Sequence, residues 1–199
     1  MSELTMVRRK RNWHPNGFFH IIMRGNNRQN IFNGEKDVKE YKRILNFVYD
    51  KYPFEIFAFC IMSNHVHFLL RSPIVPLGKL MAPINRRYSD YYRKKHNYTG
   101  QIYENRYYSK EIIDPIGLLK VSSYIHRNPI QTKVPMVKSL EHYPYSSYPY
   151  YFHNMKSPHS FVNLELLPSL MPGGREKTPQ AYAKYCVEYD GKSENVEIQ

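Results

Sequence analysis

Two histidines separated by one residue, His65 and His67, are the residues of this sequence best suited to bind a metal ion. They open an apolar stretch with the composition of a β-strand, in which side chains alternate between the two faces. Both imidazoles should project to one side, about 6–7 Å apart, and Val66 to the other. Two neutral imidazoles placed in this way can bind one divalent metal and leave positions open for substrate oxygens. The competing interpretation is a pair of histidines on the polar face of a strand.

A tyrosine and an asparagine one helical turn apart could add a nucleophile and a third ligand. Tyr124 and Asn128 stand at i and i+4, hence on one face of a helix near its C-terminal end. A phenol there could attack a phosphorus atom, and a carboxamide oxygen is a hard donor that favours Mg²⁺ or Mn²⁺ over zinc. The structural alternative is that Asn128, which precedes Pro129, caps the helix and that Tyr124 belongs to the core.

A tyrosine nucleophile needs help to ionise, because the pKa of a free phenol is near 10. A nearby cation or metal must favour the ionised form, and Arg127 is a candidate for that cation. Tyr103, Tyr107 and Tyr108 are rival nucleophiles, but they lack a partner ligand one helical turn away. We therefore expect Tyr124 to be the nucleophile.

The composition predicts a polyanionic partner. Lysine and arginine outnumber the acids 29 to 17, which gives a formal net charge of +12, and cations that neutralise phosphates release condensed counterions. Tyrosine occurs 19 times, often beside basic residues, as in the stretch 86–95. Rings interleaved with cations suit single-stranded nucleic acid, whose bases stack on aromatic side chains. Composition alone is also compatible with a ribosomal or membrane-surface partner or with an inert, solvated basic surface, and most of the tyrosines are expected to be structural.

The two cysteines and the hydropathy profile predict a protein of the reducing cytoplasm that does not span a membrane. Cys60 and Cys186 lie far apart, without the spacing of metal ligands. No secretory signal and no apolar stretch of membrane-spanning length is visible.

The elements that must position these residues follow from local patterns. Apolar runs predict strands, apolar positions at helical spacing predict helices, and proline or an Asp-Pro pair marks helix ends. Pro83 should either kink its helix or lie in the first turn of a helix that begins later. The order predicts an α+β fold, a ferredoxin-like antiparallel sheet with helices packed on one face. The predicted elements are strands at 18–23, 54–62 and 65–70, an irregular segment or short strand at 100–108, and helices that end before Pro53, span 77–96 and 115–128, and lie near 180–189.

Three segments together resemble the single-tyrosine HUH transposases, and most of all their REP-associated tyrosine transposase branch. They are His20–Gln29, Met62–Leu70 and Tyr124–Ile130. The block Gly100–Tyr107 and the serine pair within Tyr145–Tyr148 are also similar to that branch. The resemblance covers about residues 16–150 in the family's order, which is far more specific than any one motif.

The resemblance implies that His65, His67 and Asn128 bind a divalent metal, Mg²⁺ or Mn²⁺, and that Tyr124 is the nucleophile. Attack by the tyrosine would leave a 5′-phosphotyrosine and a free 3′-hydroxyl, without ATP or a water nucleophile. The segment after the first strand is where family members contact DNA or support the active site, and the basic helix should face phosphates. The predicted DNA-binding residues are Arg24, Asn26, Asn27, Arg28, Arg86, Arg87, Arg106 and Arg127, with Arg93 and Lys94 on the same basic helix.

The sequence thus predicts a bacterial, cytoplasmic transposase-type endonuclease that cuts and rejoins single-stranded DNA, with or without a hairpin, as a monomer or homodimer. We expect a basic N-terminal arm at 1–15, the nuclease domain at 16–152 and a C-terminal tail with a possible short helix at 153–199. One alternative is a non-catalytic nucleic-acid-binding module derived from a transposase. Another is a hydrolytic phosphodiesterase, which would need a second histidine motif that His126, His142, His153 and His159 do not form.

Overall fold

The computed structural model describes residues 12–189, which form a four-stranded sheet and the helices around it. Most of the predicted N-terminal arm, residues 1–11, lies outside this range, as do residues 190–199. The strands are β1 Phe18–Arg24, β2 Glu55–Ile61, β3 His65–Arg71 and β4 Tyr108–Ile112. The α-helices are α1 Glu35–Lys51, α2 Leu77–His96, α3 Pro115–Arg127, α4 Tyr148–Phe152, α5 Leu166–Ser169 and α6 Pro179–Glu188.

The sheet is antiparallel throughout, with the strand order β2-β3-β1-β4. Helix α1 connects β1 to β2, and α2 connects β3 to β4, so the chain follows a ferredoxin-like β-α-β-β-α-β order. The predicted α+β class with an antiparallel sheet is therefore confirmed.

The helices lie on both faces of the sheet, which corrects the expectation of a single helical layer. On β3, Val66, Phe68 and Leu70 pack with α1 and α2, whereas Leu69 packs with α3, α4 and α6. The reason lies partly in β2, which is buried on both faces and needs apolar cover on each. Two core layers result, and α3 belongs to the layer on the histidine side.

Local signals place the helix that carries Tyr124. The Asp114 carboxylate accepts a hydrogen bond from the Gly117 amide at 2.8 Å, and Pro115 occupies the first turn. The predicted bounds 77–96 of α2 are also observed, and the helix continues through Pro83 rather than beginning after it.

Two regions differ from the sequence expectations. The edge strand β4 begins where the predicted irregular segment ends, and within that segment Tyr103 forms a single bridge with Gly25. The C-terminal region contributes buried side chains to both core layers, Phe161 to one and Tyr182 to the other, and the short helix expected near 180–189 is α6. Among residues 12–189 there is no helix both long and apolar enough to cross a membrane.

Candidate active site

The two histidines of β3 lie on the face of the sheet that α3 covers. The ring centroids of His65 and His67 are 4.8 Å apart, and the ring planes are nearly perpendicular. His67 is buried, whereas His65 is partly exposed at the start of the strand. The pleat of β3 directs both imidazoles to one side and Val66 into the opposite core layer.

Helix α3 brings Tyr124 and Asn128 to the same place. The Tyr124 ring meets the His67 ring edge-on, with centroids 5.6 Å apart. The Asn128 Oδ1 lies 3.4 Å from the His65 Nε2, across 63 residues of sequence. Tyr124 is half-buried, so its phenol is not enclosed in the core, and its contact with the His67 ring places it on the histidine side of the sheet. The four side chains converge.

The orientation of the Asn128 amide follows from its backbone partners. Its nitrogen donates to the carbonyl oxygen of Tyr124 at 2.9 Å and to that of Ile125 at 3.4 Å. An amide nitrogen only donates and the amide oxygen only accepts. The oxygen of Asn128 is therefore the atom that faces His65.

The partner of the other ring nitrogen, Nδ1, determines the tautomer of His65. Its Nδ1 lies 2.6 Å from the Oδ1 of Asn64, while the Asn64 amide nitrogen donates to the carbonyl of Arg28 at 3.2 Å. Because the Asn64 oxygen can only accept, the His65 Nδ1 carries the proton. Neutral His65 then presents an unprotonated Nε2 to the oxygen of Asn128.

These donor atoms fit a divalent cation. Two ligands of an octahedral ion such as Mg²⁺ are about 3 Å apart when each bond is about 2.1 Å, close to the observed 3.4 Å. Burial lowers the pKa of His65 to about 4, so its imidazole is neutral near pH 7, as a metal ligand must be. Within residues 12–189 no group of three or more His, Cys, Asp or Glu side chains is placed to hold a metal. A site here depends on the Asn128 amide as the third ligand.

His20 of β1 belongs to this site and was not among the predicted residues. It is fully buried, and its Nε2 lies 3.0 Å from the His67 Nδ1. Its ring also approaches the Tyr124 ring, with centroids 6.0 Å apart. Burial first, then the charge of Lys110, lowers the pKa of His20 to about 4. The signal available in the sequence was strand alternation, since His20 shares its face of β1 with Arg24.

Burial and polar neighbours shift the pKa of the Tyr124 phenol in opposite directions. Burial raises the pKa of Tyr124, while the Asn128 side chain and the charge of Arg24 lower it. Arg24 stands opposite His65 in the register of β1 and β3. The sequence suggested Arg127 for this role, but the Arg127 Nη1 donates to the carbonyls of Cys186 and Val187 at the end of α6. Arg127 of α3 thus connects α3 to the end of α6 by hydrogen bonds.

The other predicted DNA-binding residues divide into two groups. Asn26, Asn27 and Arg28 form a short 3-10 turn directly after β1, and this turn meets the β2–β3 connection through the Arg28–Asn64 hydrogen bond. A side chain at Gly25 would place its Cβ 2.2 Å from the Gln29 carbonyl oxygen, so the tight turn requires glycine.

The second group lies away from the histidines. Arg86 and Arg87 are on α2, which packs on the opposite face of the sheet, and the Arg87 guanidinium lies 3.8 Å from the centre of the Phe47 ring. On the same helix, Arg93 pairs with Asp90 at 3.4 Å. Arg106 belongs to neither group: it is exposed in the segment between Tyr103, which forms a bridge with Gly25, and β4.

Two of the rival side chains, Tyr103 and His126, are enclosed in the protein core. Tyr103 is buried among core residues, and burial raises the pKa of its phenol. His126 is fully enclosed, where its Nε2 lies 2.8 Å from the Ser147 Oγ and its Nδ1 3.3 Å from the Tyr182 hydroxyl. A histidine enclosed in this way has no access to a substrate or to an attacking water.

Comparison with known proteins gives a consistent family. Residues 15–128 match the family model described as IS200-like transposase. A Haemophilus influenzae protein assigned as a REP-associated tyrosine transposase is 27% identical over 123 residues, which cover 56% of this chain and 68% of that protein. The solved structure of a REP-associated tyrosine transposase bound to a REP hairpin superimposes with a TM-score of 0.61 at 18% identity, over 84% of this chain and 89% of that one. These findings confirm the resemblance seen in the sequence motifs.

Proposed function

The chain belongs to the IS200-like transposase family, and from that premise we propose that it cuts and rejoins single-stranded DNA through a covalent bond to Tyr124. The observation that carries this proposal is the convergence of His65, His67, Asn128 and Tyr124 on one face of the sheet. A core packing role would not require two acceptor atoms to face each other beside a half-buried phenol.

The reaction exchanges one phosphorus–oxygen bond for another. The Tyr124 oxygen attacks the scissile phosphorus, and the bond from phosphorus to the 3′-oxygen of the preceding nucleotide breaks. The phenol loses its proton and the departing 3′-oxygen gains one, so the products are a 5′-phosphotyrosine and a 3′-hydroxyl. Because the diester bond energy is kept in the enzyme–DNA link, a second 3′-hydroxyl can reverse the step and join a new strand.

Each side chain of the site has a defined task. His65, His67 and Asn128 would hold a divalent ion, Mg²⁺ or Mn²⁺, which when bound acts as a Lewis acid on the scissile phosphate. Arg24 lowers the pKa of Tyr124 by its charge and so opposes the effect of burial. The Nε2 of His20 holds the His67 ring at the Nδ1 of His67, which leaves the Nε2 of His67 for the metal.

The substrate part of the proposal rests on charge and on the relatives. The net charge of +12 suits a polyanion, and the solved relative is bound to a REP hairpin. We propose single-stranded DNA that carries a hairpin as the substrate, bound by a monomer or a homodimer.

The test is a trapped adduct. The purified protein is incubated with a library of single-stranded and hairpin DNA and Mg²⁺ or Mn²⁺, then denatured. We expect an adduct that forms only with the metal, does not form when EDTA is present during the incubation, and is absent from Tyr124→Phe. The matched control is Tyr108→Phe, which removes an exposed phenol close to the site and should still form the adduct.

Two outcomes would overturn the proposal. An adduct that forms with Tyr124→Phe but not with Tyr108→Phe would show that Tyr108, and not Tyr124, is the nucleophile. DNA binding without any adduct, and without response to EDTA, would identify the protein as a non-catalytic binding module.

A further inference from the structure

The edge strand β4 presents a tyrosine and a lysine beside the candidate active site. Register pairs Tyr108 with Ile22 and Lys110 with His20, and the side chains of these paired residues share one face of the sheet. That face is the one that carries His20, His67 and Tyr124. Tyr108 and Lys110 thus extend the site toward the free edge of the sheet.

This part of the face is open. Helix α3 packs mainly against β2 and β3, and its first turn reaches Ile112 at the end of β4, but Tyr108 and Lys110 remain uncovered. Tyr108 is 39% exposed, and Lys110 is also exposed. An exposed aromatic ring on a sheet beside a cation is the arrangement that binds a base and its phosphate in single-stranded nucleic acid.

The charges on this face are positive. Lys110 pairs with His20 and Arg24 pairs with His65 in the register of the sheet, so both cations lie on this face. The acid of β4, Glu111, points to the other face, where it meets His14 at 2.6 Å. Cations therefore stand on two sides of the reacting groups, with Tyr108 next to His20 at a ring distance of 6.5 Å.

We propose that Tyr108, Lys110 and Arg24 form a binding track for the single-stranded segment that carries the scissile phosphate. Tyr108 stacks on one base, while Lys110 and Arg24 pair with phosphates on either side of the phosphate that Tyr124 attacks. This proposal rests on the proposed function, because only a strand that is cut at Tyr124 needs to be guided there. Binding of the strand can nevertheless be measured without any cleavage.

The basic helix α2 is the competing surface for the strand. It lies on the opposite side of the sheet, and two of its cations are engaged, Arg87 with Phe47 and Arg93 with Asp90. A strand bound along α2 would be separated from Tyr124 by the sheet itself. Binding along the track predicts that a substitution at Lys110 weakens affinity and one at Arg86 does not, whereas binding along α2 predicts the reverse.

The experiment measures equilibrium binding in the Tyr124→Phe background with EDTA, so that no cleavage takes part. Fluorescence anisotropy follows a labelled oligo(dT) of about 15 nucleotides, and a strand of abasic units of the same length tests for stacking. Tyr108→Ala should weaken oligo(dT) binding about tenfold and leave the abasic strand unchanged, while Tyr108→Phe should retain the affinity. Lys110→Gln should weaken both strands and reduce the slope of log affinity against log salt by about 0.7.

The control variants carry the same change in charge elsewhere. Lys51→Gln on α1 and Arg86→Gln on α2 lie on the other face and should leave the affinity within about twofold. Equal losses in Lys110→Gln and Lys51→Gln would show a diffuse charge effect and overturn the track. Loss in Arg86→Gln with none in Lys110→Gln would place the strand on α2.

The outcomes are separable from those of the adduct test. A wild-type adduct together with unchanged binding in the Tyr108 and Lys110 variants would remove the track and keep the nuclease. Binding that depends on Tyr108 and Lys110 without any adduct would keep the track on a non-catalytic protein.

Discussion

The Nε2 of His20 and the Nδ1 of His67 lie 3.0 Å apart between two adjacent strands, and both residues are buried. One of the two nitrogens must donate. Donation by the His67 Nδ1 leaves its Nε2 free to bind a metal, so the pairing can select the tautomer and the ring orientation of a ligand. His20 is therefore a positioning residue for His67.

Replacement of His20 by phenylalanine should weaken metal binding while the fold is retained. We expect the affinity for Mn²⁺ to fall about 10- to 100-fold in His20→Phe, because the His67 ring loses the partner that orients it. His20→Gln, which restores an acceptor, should recover part of the loss. Titration of Mn²⁺ followed by electron paramagnetic resonance measures the affinity directly, and His159→Phe is a histidine control far from the site. Equal Mn²⁺ affinity in His20→Phe and the wild type would contradict the role.

Removal of the Asn128 oxygen should abolish the third ligand. In Asn128→Ala the His65 Nε2 loses the oxygen that faces it at 3.4 Å, and we expect Mn²⁺ affinity to fall at least about tenfold. Asn128→Asp keeps an oxygen and adds a negative charge, so it should bind Mn²⁺ at least as tightly as the wild type. If Asn128→Ala only lowers the unfolding temperature and leaves the metal affinity intact, the amide is a helix cap and not a ligand.

Two arginines near the site should respond in opposite ways to the same substitution. Arg127→Gln removes hydrogen bonds to the end of α6 and should lower the free energy of unfolding by about 1–2 kcal/mol, with little change in DNA affinity. Arg24→Gln should leave unfolding nearly unchanged, weaken single-stranded DNA binding and slow adduct formation. Urea unfolding and anisotropy on both variants test this pair. If Arg127→Gln strongly weakens DNA binding while the stability is unchanged, Arg127 is a DNA-binding residue, as the sequence predicted.

Stability should fall as the pH is lowered through the slightly acidic range. Burial lowers the pKa of His126 to about 3 from an ordinary value of 6.5. Between these values the unfolded chain binds the proton and the folded protein does not, so this contribution is complete above pH 6.5 and is lost as the pH falls. His20 and His65, each with a pKa lowered to about 4, act in the same direction.

Urea unfolding in EDTA between pH 7 and pH 5 measures this dependence. His126→Met should reduce the slope of the unfolding free energy against pH by up to about 1.4 kcal/mol per pH unit, the value for one proton. The neighbouring Tyr182→Phe alters the same buried cluster without removing a histidine and should keep the wild-type slope. An unchanged slope in His126→Met would mean that this histidine does not remain neutral in the folded protein.

Local patterns in the sequence determined much of the fold and the membership of the site. The alternation of a strand directs His65 and His67 to one side, and the i, i+4 spacing directs Tyr124 and Asn128 to one side of a helix, because each is a property of a single element. The bounds of α2 and the start of α3 also follow from nearby residues, the Asp114 cap among them. These features needed no knowledge of distant contacts.

The tertiary structure alone decided how these elements meet. That α3 lies on the histidine face, that His20 pairs with His67, and that Arg127 bonds to α6 while the charge of Arg24 lowers the pKa of Tyr124 are relations between residues far apart in the chain. The short polar strand β4 begins at the end of the predicted segment 100–108 and not within it, because its pairing depends on hydrogen bonds to β1 and not on an apolar run of its own. Periodicity reports which way a side chain faces within its element, whereas packing of two core layers decides what it faces.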